Sequence, residues 1–184
     1  MNHAPMMHAP MIQAIVVTQF SKMLTNLGAI LGEAEKFAAE KKFDTSILLQ
    51  ARLAPDQFSL MQQIRTACDT AKLGAARLAG RDKDAPVHAD TEQTPAEIRA
   101  RLDSVIAYLK GFAPDAFAAA AERRITQPRW NGKSLSGQEF LVQHVIPNFY
   151  FHVTTAYAIL RHNGVGIGKR NYLGDMPYRE AVTT

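Results

Sequence analysis

Between Met11 and Lys41, apolar side chains recur at steps of three and four residues. Phe20, Leu24, Leu27, Leu31, Ala34 and Ala38 draw one stripe down a long helix. A helix marked this way must bury its stripe against other helices, and the same spacing returns further along the chain. Met61, Ile64, Cys68, Ala71, Ala75 and Leu78 carry it in a second helix, expected to begin near Pro55 and to stop at Gly80. Thr94, Pro95 and Glu97 supply the N-cap, first-turn proline and capping-box acid of a third helix through Leu109. Ser136 and Glu139 stand at capping-box spacing for a fourth, which runs to Arg161 and His162 and ends at Gly164, with Pro147 kinking or restarting it. Four long helices with short to moderate connections predict an all-α fold, an antiparallel four-helix bundle.

The segments between the helices read differently. Residues 80–94 form a polar loop, and Pro114 to Glu122 spells a short alanine-rich helix. Ile125 to Leu135, with Pro128, Trp130 and the Asn131-Gly132 pair, reads as a hairpin or extended loop before the last helix. From Gly164 onward the glycines are too frequent for a helix, so this stretch is expected to lie over the bundle. The expected organisation is a disordered lead-in over 1–10, one helical domain over 11–174 and a C-terminal tail over 175–184.

Length and composition fit one domain. The chain has 184 residues, 47% of them hydrophobic and 21% charged, which suffices for a real core. A single cysteine, Cys68, excludes an internal disulfide and a cysteine-based zinc site. The net charge of +4 comes from 21 basic and 17 acidic residues that are interleaved, a solvated surface with no nucleic-acid motif. The opening residues have no positive n-region, and no stretch reads as the roughly 20 apolar residues of a membrane span, so a cytoplasmic protein without membrane partners is expected.

Two polar residues interrupt the apolar stripe of the fourth helix. On a helical wheel, Leu141, Val145, Asn148, Ala156 and Ile159 all lie within roughly 40° of His152. Asn148 and His152 are therefore core-facing, and each needs a partner, because an unpaired buried polar group costs about 1–3 kcal/mol. They serve either as a satisfied core pair or as a place for a ligand, which at i, i+4 spacing can touch both. Histidines so spaced can share a metal ion, but an asparagine amide is a poor ligand for one. His144 sits at the edge of the stripe, and Tyr150 and Tyr157 read as rim residues. Cys68 reads as an inert core thiol. His3 and His8 fall in the lead-in and suit only adventitious metal. Gly164, Gly166, Gly168 and Lys169 imitate a phosphate-binding loop without its preceding strand or its Ser/Thr. Arg123, Arg124, Arg129 and Lys133, around Trp130, read as a solvated basic loop able to meet an anion.

HVIPNFYFHVTTAYAILRHNG, at the end of the fourth helix, resembles the closing helix of the DinB/YfiT-like superfamily, which carries two histidines four apart, then a leucine-arginine pair and a glycine. His152 matches the second histidine, Asn148 stands at the first, and the remaining metal histidine of that pattern falls at Gln63 or Ile64. RLAPDQFSLMQQI, ACDTAKLGAARLAG, PNFYFHVTTAYAILRHNG and GIGKRNYLG are similar to a bacterial branch of that superfamily known as a domain of unknown function. The resemblance spans about Phe20 to Gly174. It implies a DinB-like bundle, commonly a homodimer, with a degenerate metal site whose candidate pocket is Asn148, His152 and Gln63. No cofactor is then expected, and the pocket would take a small polar molecule. Two alternatives stay open. One is a thiol transferase or isomerase using a divalent ion, zinc or nickel, at His152; the other is a non-catalytic homodimeric interaction protein.

Overall fold

The structure, a computed structural model, describes residues 6–180. Of the expected lead-in and tail, residues 1–5 and 181–184 lie outside the described residues. Helix α1 runs Ala9–Lys41, α2 Ser46–Gln50, α3 Leu60–Ala79 and α4 Pro95–Lys110. A small antiparallel hairpin follows, β1 Arg124–Thr126 with β2 Ser134–Ser136, in which Ile125 pairs with Leu135. Helix α5 covers residues 137–162 and α6 is Lys169–Leu173. The protein is an all-α bundle: α1 and α3 each pack against both α4 and α5, and α6 lies on α1.

The apolar stripes meet along the bundle axis. Phe20, Leu24, Leu27, Leu31, Ala34 and Ala38 of α1 are all buried, as are Leu141, Val145, Ala156 and Ile159 of α5. Phe20 of α1 stacks on Phe149 of α5 with ring centroids 4.1 Å apart. Each leucine fully buried here contributes roughly 1.5–3 kcal/mol. Helices α3 and α5 approach closely at Gly74, where a Cβ would come within 2.7 Å of Val145 Cγ1. Gly80 ends α3 in the left-handed region, φ +70°, and the Arg81 N–H then donates to the Ala76 carbonyl at 2.8 Å, closing the last turn.

Several boundaries differ from the sequence expectation, each for a local reason. Helix α1 starts at Ala9, within the expected lead-in, with the His8 side chain accepting the Met11 N–H as its cap. Helix α3 starts at Leu60 and not near Pro55, because Ser59 and Gln62 form a capping box: Ser59 Oγ accepts the Gln62 N–H and Gln62 Oε1 accepts the Ser59 N–H. The alanine run after Pro114 makes only one 3₁₀ turn, Pro114–Phe117. It bends so that the Ala121 carbonyl can accept the Gln138 N–H at 3.0 Å, which seats the start of α5. Pro147 restarts the α-helical part of α5 as expected, standing in the first turn of the stretch that opens at Ile146. A π-turn at Leu141–Val145 directly precedes it and accommodates the ladder bond that proline cannot donate. The glycines after α5 stop short of Lys169, which leaves KRNYL free to form α6, held by the Asn26 amide donating to the Tyr172 carbonyl at 2.9 Å.

The polar 80–94 loop is more than a solvated connection. Arg101 of α4, its side chain only 1% exposed, donates to Asp69 of α3 at 2.7 Å and to Glu92 of the loop at 2.9 Å, with Asp90 alongside. Arg65 pairs with Glu92 at 2.8 Å, and Lys72 donates to both Asp69 and His88, each at 2.8 Å. One helix, α1, is long and apolar enough to cross a membrane by length and composition, contrary to the sequence expectation, and half of its most apolar window is buried within the bundle.

Candidate functional site

The seam between α3 and α5 carries the polar residues singled out in the sequence. Gln63 and Thr70 stand two turns apart on α3, so both face α5; His152 meets the first and Asn148 the second. His152 Nδ1 lies 2.7 Å from Gln63 Oε1, with both side chains buried. Asn148 is turned elsewhere, its amide donating to Thr70 Oγ1 at 2.8 Å. Gln63 and His152 are thus in contact, while Asn148, one helical turn away, lines an adjoining cleft.

The bonding around Gln63 fixes the state of His152. The Gln63 amide nitrogen donates to the Phe58 backbone carbonyl at 3.3 Å, and a carbonyl only accepts. The other end of the amide, Oε1, is therefore an acceptor facing the imidazole, so His152 carries its proton on Nδ1 and presents Nε2 as a lone pair. Burial pushes the imidazole below its ordinary value of 6.5, favouring the neutral ring. Two half-exposed aromatics wall it: Phe58 stacks at 6.3 Å and 16°, and Phe151 meets it edge-on at 5.2 Å. No hydrogen-bond partner takes Nε2 among the described residues. The site has one acceptor nitrogen framed by ring carbons, which suits a ligand with a flat face and an N–H or O–H donor.

A zinc or nickel ion does not fit this donor set. Such an ion draws on three or four donors among His, Cys, Asp and Glu. Among the described residues no group of three or more of these lies together. Beside His152, the Gln63 amide is engaged at both ends, Asn148 is bonded to Thr70, and Phe58 and Phe151 present phenyl rings. Cys68, the one thiol, is wholly buried, and burial pushes it up to about 12, beyond use as a nucleophile.

The adjoining cleft, of about 160 Å³, lies between α3, α5 and the hairpin loop, and Asn148 and His144 line it together with Arg77, Gln127 and Arg129. His144 Nε2 accepts from Arg129 at 3.2 Å, and its ring stacks on Phe140 at 5.4 Å. Burial first, then Arg129 and Arg77, lower the His144 imidazole as well. Tyr150 and Tyr157 are half-buried, and the Tyr150 hydroxyl accepts from the Gln19 amide at 3.1 Å. Sequence reasoning passed over Arg77 and Gln127. Neither belongs to a motif, and only the folded hairpin sets Gln127 against α3.

A family profile described as a domain of unknown function, DUF1993, matches residues 12–173. The chain is also similar to a solved structure, the crystal structure of a DinB family member protein from Shewanella denitrificans, at 56% identity and a TM-score of 0.92. That match covers 94% of this chain and 97% of the other. Comparison with curated proteins found no match.

Proposed function

The chain belongs to the DUF1993 family of DinB-like bundles, and we propose that it is a ligand-binding bundle whose degenerate metal site holds a small polar molecule through His152. The observation that carries this reading is the Gln63 amide, held by the Phe58 carbonyl on one side and by His152 Nδ1 on the other. That clamp commits the imidazole to accept at Nε2, and a committed acceptor between two exposed aromatic faces selects flat molecules bearing a hydrogen-bond donor. Nothing in this reading requires a metal-dependent transferase, for which the seam offers one nitrogen where the chemistry needs several ligands.

A fragment set of heteroaromatic amides and lactams, screened by NMR against tag-free protein, tests the proposal. Binders should shift His152 and the Phe58 and Phe151 rings. His152→Ala should abolish binding, and Gln63→Leu should weaken it about tenfold by unfixing the tautomer. A screen without hits at these residues contradicts the reading, as does tag-free protein purified with stoichiometric zinc or nickel, which instead supports the metal-dependent alternative.

A further inference from the structure

The second cleft of the α3–α5 seam is built from different chemistry. Arg77 and Arg129 each bring five N–H donors to its walls, and little in the protein uses them. Among the described residues Arg77 reaches only the exposed carboxylate of Asp82, at 3.5 Å, and Arg129 gives one N–H to His144 Nε2. Asn148 donates to Thr70 Oγ1, which leaves the Thr70 hydroxyl hydrogen free to be donated in turn. The one carboxylate on the wall, Asp69, is already held by Arg101 at 2.7 Å and by Lys72 at 2.8 Å. Burial first, against the pull of Asp82, and then the neighbouring Arg129 charge hold the Arg77 guanidinium below its ordinary value.

Gln127 points to what is missing. The residue is only 7% exposed, lines the cleft, and keeps its amide nitrogen fully buried with no hydrogen-bond partner. An orphaned buried donor costs roughly 1–3 kcal/mol, and such a group in a native fold calls for an acceptor. An anion seated in the cleft supplies one when the Gln127 amide turns toward it, and it is the species that two underused guanidinium groups attract. At about 160 Å³ the cleft has room for a carboxylate or phosphate group. Arg129 and His144 also line a wider groove of about 510 Å³ on their other side, which Trp130 and Leu135 help to wall. The geometry points to this cleft as a binding site for a small oxyanion, the carboxylate or phosphate head of a ligand whose apolar body lies along Trp130.

Titration calorimetry at fixed ionic strength with inorganic phosphate, phenyl phosphate and benzoate tests the site. Saturable one-to-one binding is expected, with phenyl phosphate tighter than inorganic phosphate; the order of phenyl phosphate and benzoate tells a phosphorylated ligand from a carboxylic acid. Arg129→Gln should weaken binding about tenfold or more, while Lys110→Gln, the same loss of charge at an exposed lysine outside the lining of the cleft, should change it less than about twofold. Gln127→Leu should weaken binding without lowering the melting temperature, since it removes a donor that the free protein leaves unpaired. His152→Ala should leave anion binding intact, so this site stands or falls apart from the first. Absence of saturable binding by all three probes overturns the proposal. So do equal losses in Arg129→Gln and Lys110→Gln, unaltered binding in Gln127→Leu, or inorganic phosphate binding more tightly than both aromatic anions.

Discussion

Burial favours the uncharged form of three imidazoles of this protein. His152 lies against Gln63 and two phenyl rings, His144 lies under Arg129 and Phe140, and His88 accepts the Lys72 ammonium at Nδ1. All three are pushed below their ordinary value of 6.5: His152 by burial, His144 by burial and then its arginine neighbours, His88 by burial and then Lys72 and Arg101. Below 6.5 the unfolded chain therefore binds protons that the folded chain refuses. Their contribution to stability is complete above that value and is lost as pH falls from it toward the depressed folded values. Urea midpoints measured from about one unit above 6.5 to one unit below should fall steadily, and the fall should be shallower in His88→Gln; a flat profile contradicts this account. At this scale the sequence was informative where periodicity applied. His152 stands where the wheel put it, turned into the seam. The wheel could not separate Asn148 from His152, because one turn of helix brings each opposite a different residue of α3, and those partners lie some eighty positions away in the chain.

Helix boundaries were legible wherever capping chemistry was read before proline. Thr94 with Glu97 and Ser136 with Glu139 open α4 and α5 as expected, each pair exchanging side-chain and backbone bonds. Pro55 drew the start of α3 too early, although Ser59 and Gln62 spell the same capping signal four residues on. Ser59→Ala should cost about 1 kcal/mol in chemical denaturation, and Pro55→Ala much less, if Ser59 is the true cap. The packing of α3 on α5 was not legible at all, since no periodicity marks Gly74 as a point of contact. Its missing Cβ sets how closely the two helices that carry the site approach. Gly74→Ala, ordinarily favourable inside a helix, should here destabilise by roughly 1–3 kcal/mol, because Val145 is β-branched and has little freedom to move aside. A stabilised Gly74→Ala protein would show that the seam is looser than described.

For the whole molecule, the bundle was readable from apolar stripes and capping signals, and the charge network around Arg101 was not, because its members are scattered through α3, α4 and the 80–94 loop. That network and the apolar core hold α3, and α3 in turn presents Gln63 to one site and Thr70 and Arg77 to the other. We propose, as the resemblance implies, that two copies associate; light scattering showing a monomer at all concentrations would contradict that. We propose that the seam forms hydrogen bonds where the resemblance places metal ligands, with His152 fixed by Gln63 as a neutral acceptor. Long-range nitrogen–proton NMR of the His152 imidazole, in tag-free protein before and after addition of zinc, tests it most directly. The account predicts a protonated Nδ1 and a bare Nε2, both unmoved by zinc. A proton on Nε2, or an Nε2 resonance displaced stoichiometrically by the metal, would contradict it.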